Sequence, residues 1–138
     1  MTIKITLTKT RPSADISWHD PSLDEDWKSA YAANPSVWDD YLLAPEEIID
    51  SSDGLTLTTV AIFQDIESFI LASKDSIPND LRLSQRSYRD ANNIRGTLYC
   101  LNVDTNTEVT RDQIIAKERE MRAASLLSDD HEYFEVRS

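Results

Sequence analysis

Residues 54–76, GLTLTTVAIFQDIESFILASKDS, constrain the fold more than any other stretch. From Leu55 to Phe63 the chain is built of Leu, Thr, Val, Ala, Ile and Phe, with no glycine, proline or charge, which is strand composition. Leu55, Leu57, Thr59, Ala61 and Phe63 fall on one face, and Thr56, Thr58, Val60 and Ile62 on the other. Both faces grow more apolar toward Phe63, as in a central strand covered on both sides. At Asp65 the period changes from 2 to 3.6. Asp65 is placed to cap a helix in which Ile66, Phe69, Ile70 and Ser73 share a face. A strand feeding directly into a helix needs further strands at its edges and a second apolar surface for the helix.

The rest of the chain offers both. Ile3, Ile5 and Leu7 alternate with Lys4, Thr6 and Thr8, and after Arg11-Pro12-Ser13 the alternation resumes at Ala14, Ile16 and Trp18, predicting one bulged strand or two strands around a kink. Pro21-Ser22 opens a helix with Leu23, Trp27, Ala30 and Tyr31 on one face and Asp24, Glu25 and Asp26 at its positive end; Asn34-Pro35 stops it. Residues 35–53 read as a partly helical, acidic excursion closed by the turn Ser51-Ser52-Asp53-Gly54. A second helix is predicted over 79–93, with Leu81, Tyr88 and Ala91 inward, and Gly96 sits where a left-handed cap or turn wants glycine. Thr97–Val103 is a third clear strand. Thr110 and Gln113 form a capping-box pattern for a last helix over 111–127, with Ile114, Ile115, Met121, Ala124 and Leu127 as its apolar stripe. EYFEVRS at the end is strand-like. This order predicts an α+β fold, a ferredoxin-like sandwich of a small, mainly antiparallel sheet with helices packed on it, plus a long C-terminal helix. With 138 residues and no linker or repeat, 1–138 reads as one domain.

Composition removes whole classes of function. Two glycines, Gly54 and Gly96, cannot build a Walker loop, a dinucleotide fingerprint or a nucleophile elbow. Cys100 is the only cysteine, so there is no internal disulfide and no thiolate cage, and it reads as a small buried hydrophobe. No apolar run approaches the roughly 20 residues of a membrane span, and MTIKITLTKTRP lacks the pattern of an export signal. The net charge is −11, concentrated in residues 1–69, where 13 acids face 4 bases; this argues against a nucleic-acid surface there.

The polar features are few. His19-Asp20 and Asp129-Asp130-His131-Glu132 are where histidine meets carboxylate, and neither has metal-ligand spacing, so both read as polar surface; no catalytic, metal or cofactor-binding residue is expected. Arg82, Arg86 and Arg89, at i, i+4 and i+7, form a basic stripe that either pairs with the acidic first half or docks an acidic partner. Trp27 reads as core. Trp38, in the acidic excursion, divides between core and interface.

GLTLTTVAIFQDIESFILASKDS, together with ITLTKTRPSADISW near the start, resembles small structural proteins of marine tailed phages, cyanophages included, over positions 1–20 and 54–76. The resemblance implies a non-enzymatic protein of the head, neck, tail or baseplate, made in the host cytoplasm and located in the virion. It implies contacts with other virion proteins and copies of itself; the basic stripe and the aromatic of the excursion supply Trp38, Arg82, Arg86 and Arg89 as the candidate contact residues, and no cofactor, nucleic acid or membrane partner is expected. The same topology also resembles the dimeric α+β barrels, among them small monooxygenases and haem-degrading enzymes. That alternative implies an enzyme or small-ligand-binding protein with a cleft beneath the helices, in which Trp18 and His19 could serve.

Overall fold

The computed structural model describes residues 1–33, 39–75 and 79–127. Strand β1 (Ile3–Thr10) is central. It pairs antiparallel along its whole length with β3 (Thr56–Phe63) on one side and β4 (Arg95–Asn102) on the other. β2 (Glu47–Asp50) borders β3 and β5 (Thr107–Val109) borders β4, giving the order β2-β3-β1-β4-β5. Helix α1 (Asp24–Ala33) follows β1, α2 (Ile66–Asp75) and α3 (Asn79–Ala91) join β3 to β4, and α4 (Arg111–Ala123) follows β5. β1 through β4 with their helices make the ferredoxin-like α+β sandwich that the sequence predicts, extended by β5 and α4.

The register decides where the core lies. Ile3 faces Phe63, and Ile5 lies between Ala61 and Cys100, so these five side chains share one sheet face. All are buried there with Phe69, Ile70 and Ala72 of α2, Ile114 and Met121 of α4, and Val109 and Leu127. Phe63 and Phe69 meet at 5.5 Å between ring centroids. Each such fully buried large side chain contributes about 1.5–3 kcal/mol. Asp65 caps α2 as expected, its Oδ1 accepting from Ser68 N at 2.7 Å. Thr110 and Gln113 close a reciprocal capping box on α4. Cys100 is a buried hydrophobe whose thiol is pushed up to about 11 by desolvation, which leaves it protonated and unreactive.

Several expectations need correction. β3 is covered on one face only. Val60 and Ile62 on its other face are half-buried, Leu57 on the core face is no more than half-buried, and no residue of the sheet face bearing Thr6, Thr8, Val60, Ile62, Tyr99 and Leu101 is buried. Ala14–Trp18 is a loop, because Arg11 turns back from the end of β1, donating to Gly54 O at 2.7 Å and to Ile16 O at 2.6 Å. Gly96 lies inside β4 opposite Lys9. The left-handed cap of α3 is Asn93 (φ 56°), closed by Ile94 N–H donating to Arg89 O at 2.9 Å, with Ile94 buried behind it. The excursion contains a 3-10 turn at Asp39–Tyr41 and the edge strand β2, and β5 is a further strand not anticipated. Helix α4 stops at Ala123, where Ser125 (φ 60°) takes the left-handed position. Ala91 is exposed; Gln85 occupies the inner face of α3 instead, and Glu118 is buried on α4. The strand-like tail and His131 lie outside the described residues.

Candidate functional site

The core fills the end of the sheet around Ile3 and Phe63. Toward the other end of β1 the same face passes through Leu7 to Lys9, and burial decreases. Lys9 is half-buried, flanked by Leu57 and Gly96. Gly96 has no side chain to stand over the strand, and a Cβ there would lie 4.0 Å from Lys9 Cγ, so the lysine stem crosses the space glycine leaves.

Three elements close over this end. The loop after β1 is shaped by Arg11, whose guanidinium, besides its two backbone bonds, lies 4.4 Å from the centroid of the Trp18 ring. Asp20 Oδ1 accepts from Ser22 N at 2.9 Å and so sets the start of the Pro21–Leu23 turn and of α1 behind it. One turn along, Trp27 stacks on His19, with ring centroids 5.5 Å apart and planes 26° from parallel. From α3, Tyr88 Oη donates to Ser17 O at 2.7 Å, and Gln85 Oε1 accepts from Asp20 N at 3.0 Å. Leu81, Gln85 and Arg89 recur every four residues along the inward side of α3, so the row that begins as core ends as a half-buried cation.

The electrostatics of the end are unusual for so acidic a chain. Burial pulls His19 below its ordinary value, followed by Lys9 and then Arg89, against the weaker opposite pull of Asp24. Burial also lowers Lys9, with Arg89 adding to it more than Glu46 compensates, and lowers Arg89, with Arg86 outweighing Asp90. At each of the three positions repulsion from another cation therefore exceeds the attraction of the nearest acid. The Lys9 ammonium and Arg89 guanidinium are half-buried, while the His19 imidazole beside them is exposed at the surface and stacked on Trp27. Beside them the Nε2 of Gln85, 2 % exposed, has no hydrogen-bond partner. A sealed amide donor without a partner costs about 1–3 kcal/mol and is uncommon in a folded chain.

Chemically the arrangement sets an imidazole of lowered proton affinity near two positive charges, with the Trp27 indole stacked on it. It can take a proton and hold the anion that remains. Among the described residues no cluster of histidine, cysteine and carboxylates is arranged to bind a metal ion, and no helix of the described residues is long and apolar enough to cross a membrane. A separate open recess of about 350 Å³ lies between α1 and α3, lined by Leu23, Asp26, Ser29, Ala30, Asp80, Leu81 and Ser84.

Of the residues singled out in the sequence, Arg82, Arg86 and Arg89 all lie on α3 and all are half-buried, with Arg82 and Arg86 engaged by other groups. Of the three, Arg89 acts electrostatically on both His19 and Lys9. Trp38 lies outside the described residues. Trp27, expected in the core, is half-buried and stacks on His19. Lys9 and Gln85 went unnoticed in the sequence. The signal for Gln85 was its spacing of four from Leu81, a polar residue in an inward row; Lys9 continues the Ile3, Ile5, Leu7 alternation.

No family model matches the chain, and no curated protein matches it. Among solved structures it is similar to SnoaB, a cofactor-independent oxygenase from Streptomyces nogalater, with a TM-score of 0.43 at 12 % identity over 74 % of this chain and 92 % of that one. It is also similar to Rv0793 from Mycobacterium tuberculosis, with a TM-score of 0.34 at 10 % identity over 70 % of this chain and 91 % of that one. A protein of Nitrosomonas europaea assigned as an antibiotic biosynthesis monooxygenase gives 0.36 at 13 % identity, over 70 % and 88 %. These neighbours correct the expectation of a chain that is not an enzyme, since an oxygenase and a monooxygenase stand among them, and they lend the virion reading no support. At such identities the roles of individual residues rest on the geometry of this chain.

Proposed function

We propose that the chain is a small-molecule enzyme of the dimeric α+β barrel type, with its reactant held in the cleft between β1, α1 and α3. The observation that carries this reading is the convergence at His19: an imidazole with its proton affinity lowered, Lys9 and Arg89 within electrostatic reach, and Trp27 stacked on the ring. A histidine that is neutral near pH 7 is a competent general base. It accepts a proton from an acidic C–H or O–H of the reactant, becoming imidazolium, and the negative charge left on the reactant is held by Lys9, the cation acting most strongly on His19. The oxygenase chemistry of SnoaB is compatible with such a step and is part of this reading. The working unit is a pair of chains packed through the open sheet face, where Ile49 and Tyr99 are about half exposed and Val60, Ile62 and Leu101 are half-buried.

The test is deuterium exchange at the acidic C–H of 2-indanone in D₂O, followed by NMR. Wild type is expected to accelerate exchange, and His19→Gln, which keeps polarity and loses the base, to reduce the acceleration by about 100-fold or more. Exchange at an unchanged rate in His19→Gln defeats the base assignment.

A further inference from the structure

The reading above leaves Gln85 and Arg89 without a task of their own. They lie one turn apart on the inward side of α3: Gln85 reaches the turn at residues 19–20 through its bond with Asp20 N, and Arg89 is near enough to His19 to disfavour its proton. The amide is oriented by that bond, with Oε1 committed to the backbone, so Nε2 is left as a fixed donor with nothing to donate to. Arg86, on the same helix, adds a second positive charge behind Arg89. A donor without an acceptor, one helical turn from a guanidinium on the same side of α3, is the complement of a carboxylate, which accepts several hydrogen bonds at once and is bound more strongly by charged donors. The stacked His19 and Trp27 rings lie across the turn and present a flat aromatic edge.

We propose, resting on the small-molecule reading above, that the natural ligand is a planar organic acid bound as its anion, its carboxylate seated between Arg89 and Gln85 Nε2 and its ring system alongside the His19–Trp27 stack. The two cations then divide the work. Arg89 binds the permanent charge and sets specificity, while Lys9 faces the atom that His19 deprotonates. Nε2 is sealed from solvent, so seating requires the exposed turn at 17–20 to move outward; two hydrogen bonds tie it to α3, from Tyr88 Oη to Ser17 O and from Asp20 N to Gln85 Oε1.

The probes are 2-naphthoate and its neutral isostere 2-naphthamide, titrated against tryptophan fluorescence at two salt concentrations. Wild type is expected to prefer naphthoate by about tenfold or more, with the preference shrinking as salt rises. Gln85→Glu keeps an acceptor for Asp20 N but replaces the free donor with a carboxylate; Arg89→Gln removes the charge. Each is expected to collapse the preference toward one, with melting temperatures used to confirm that both variants fold. Equal affinities in wild type, or a preference that survives both variants, overturns the proposal. So does the absence of binding by either probe up to about 1 mM. The 2-indanone exchange is independent of these outcomes, so an enzyme with a working base and no taste for anions remains distinguishable from a chain with neither.

Discussion

At the scale of single residues, His19 carries the largest consequence. It is faced by Lys9 from β1, Arg89 from α3 and Asp24 from α1, and the two cations with burial outweigh the acid. The folded chain therefore takes up the His19 proton at a lower pH than the unfolded chain does. Between those two values the unfolded state binds more protons, so stability contributed by this site is present above the ordinary histidine range and is lost as pH falls through the folded value. Titration of the ring protons by NMR is expected to give a midpoint below 6.5, and a chain with His19→Asn to lose less stability than wild type on acidification across that range. A midpoint at or above 6.5 removes the cation-flanked imidazole from the account. The sequence made His19 visible only as a histidine beside an acid. Its true neighbours come from positions 9 and 89, brought together by the pairing of β1 with β4 and the docking of α3, and no local pattern encodes that meeting.

At the scale of elements, the two positions flanking the start of β4 exchange the roles that sequence suggests for them. Asn93 holds the left-handed conformation at the end of α3, and Gly96 lies in regular strand with nothing nearer than 4.0 Å to an added Cβ. Asn93→Ala is expected to destabilise by about 1 kcal/mol, since alanine gains little from that conformation and loses the tolerance asparagine has for it. Gly96→Ala is expected to change stability by under about 0.5 kcal/mol or to stabilise, by restricting the unfolded chain. Denaturant titration of the two variants checks both, and a larger loss at Gly96 than at Asn93 contradicts the assignment. Elements with strong periodicity were legible: β1, β3, the strand at Leu98–Leu101 and the capping box at Thr110. Those that were not are short and borrow their order. β2 (EIID) and β5 (TEV) have too few residues for a period-2 signal and form because β3 and β4 offer unpaired edges. The stretch Ala14–Trp18, expected as strand, is instead a loop held by Arg11, which donates to Ile16 O and to Gly54 O.

For the whole molecule the open sheet face matters most. It carries Lys4 with Glu47 and Glu108 around an apolar centre of Val60, Ile62 and Leu101, a mixture of signs that a twofold axis can pair. The chain is expected to sediment as a dimer, and Val60→Asp to convert it to a folded monomer at micromolar concentration. A wild type that sediments as a monomer at all concentrations tested removes the dimer from the proposed function.

Burial is graded along the strands, complete at Ile3, Phe63 and Cys100 and much reduced at Lys9, Leu57 and Leu98. Strands paired along their full length but anchored at one end need not open as one unit. Their hydrogen-bonded ladders should unzip from the Lys9 end while the Ile3 end stays closed, so that amide protons of Lys9 and Leu98 exchange with solvent well before those of Ile5 and Cys100. A sheet of this kind can breathe at its Lys9 end and stay shut at its Ile3 end, at a free energy of local opening far below that of unfolding.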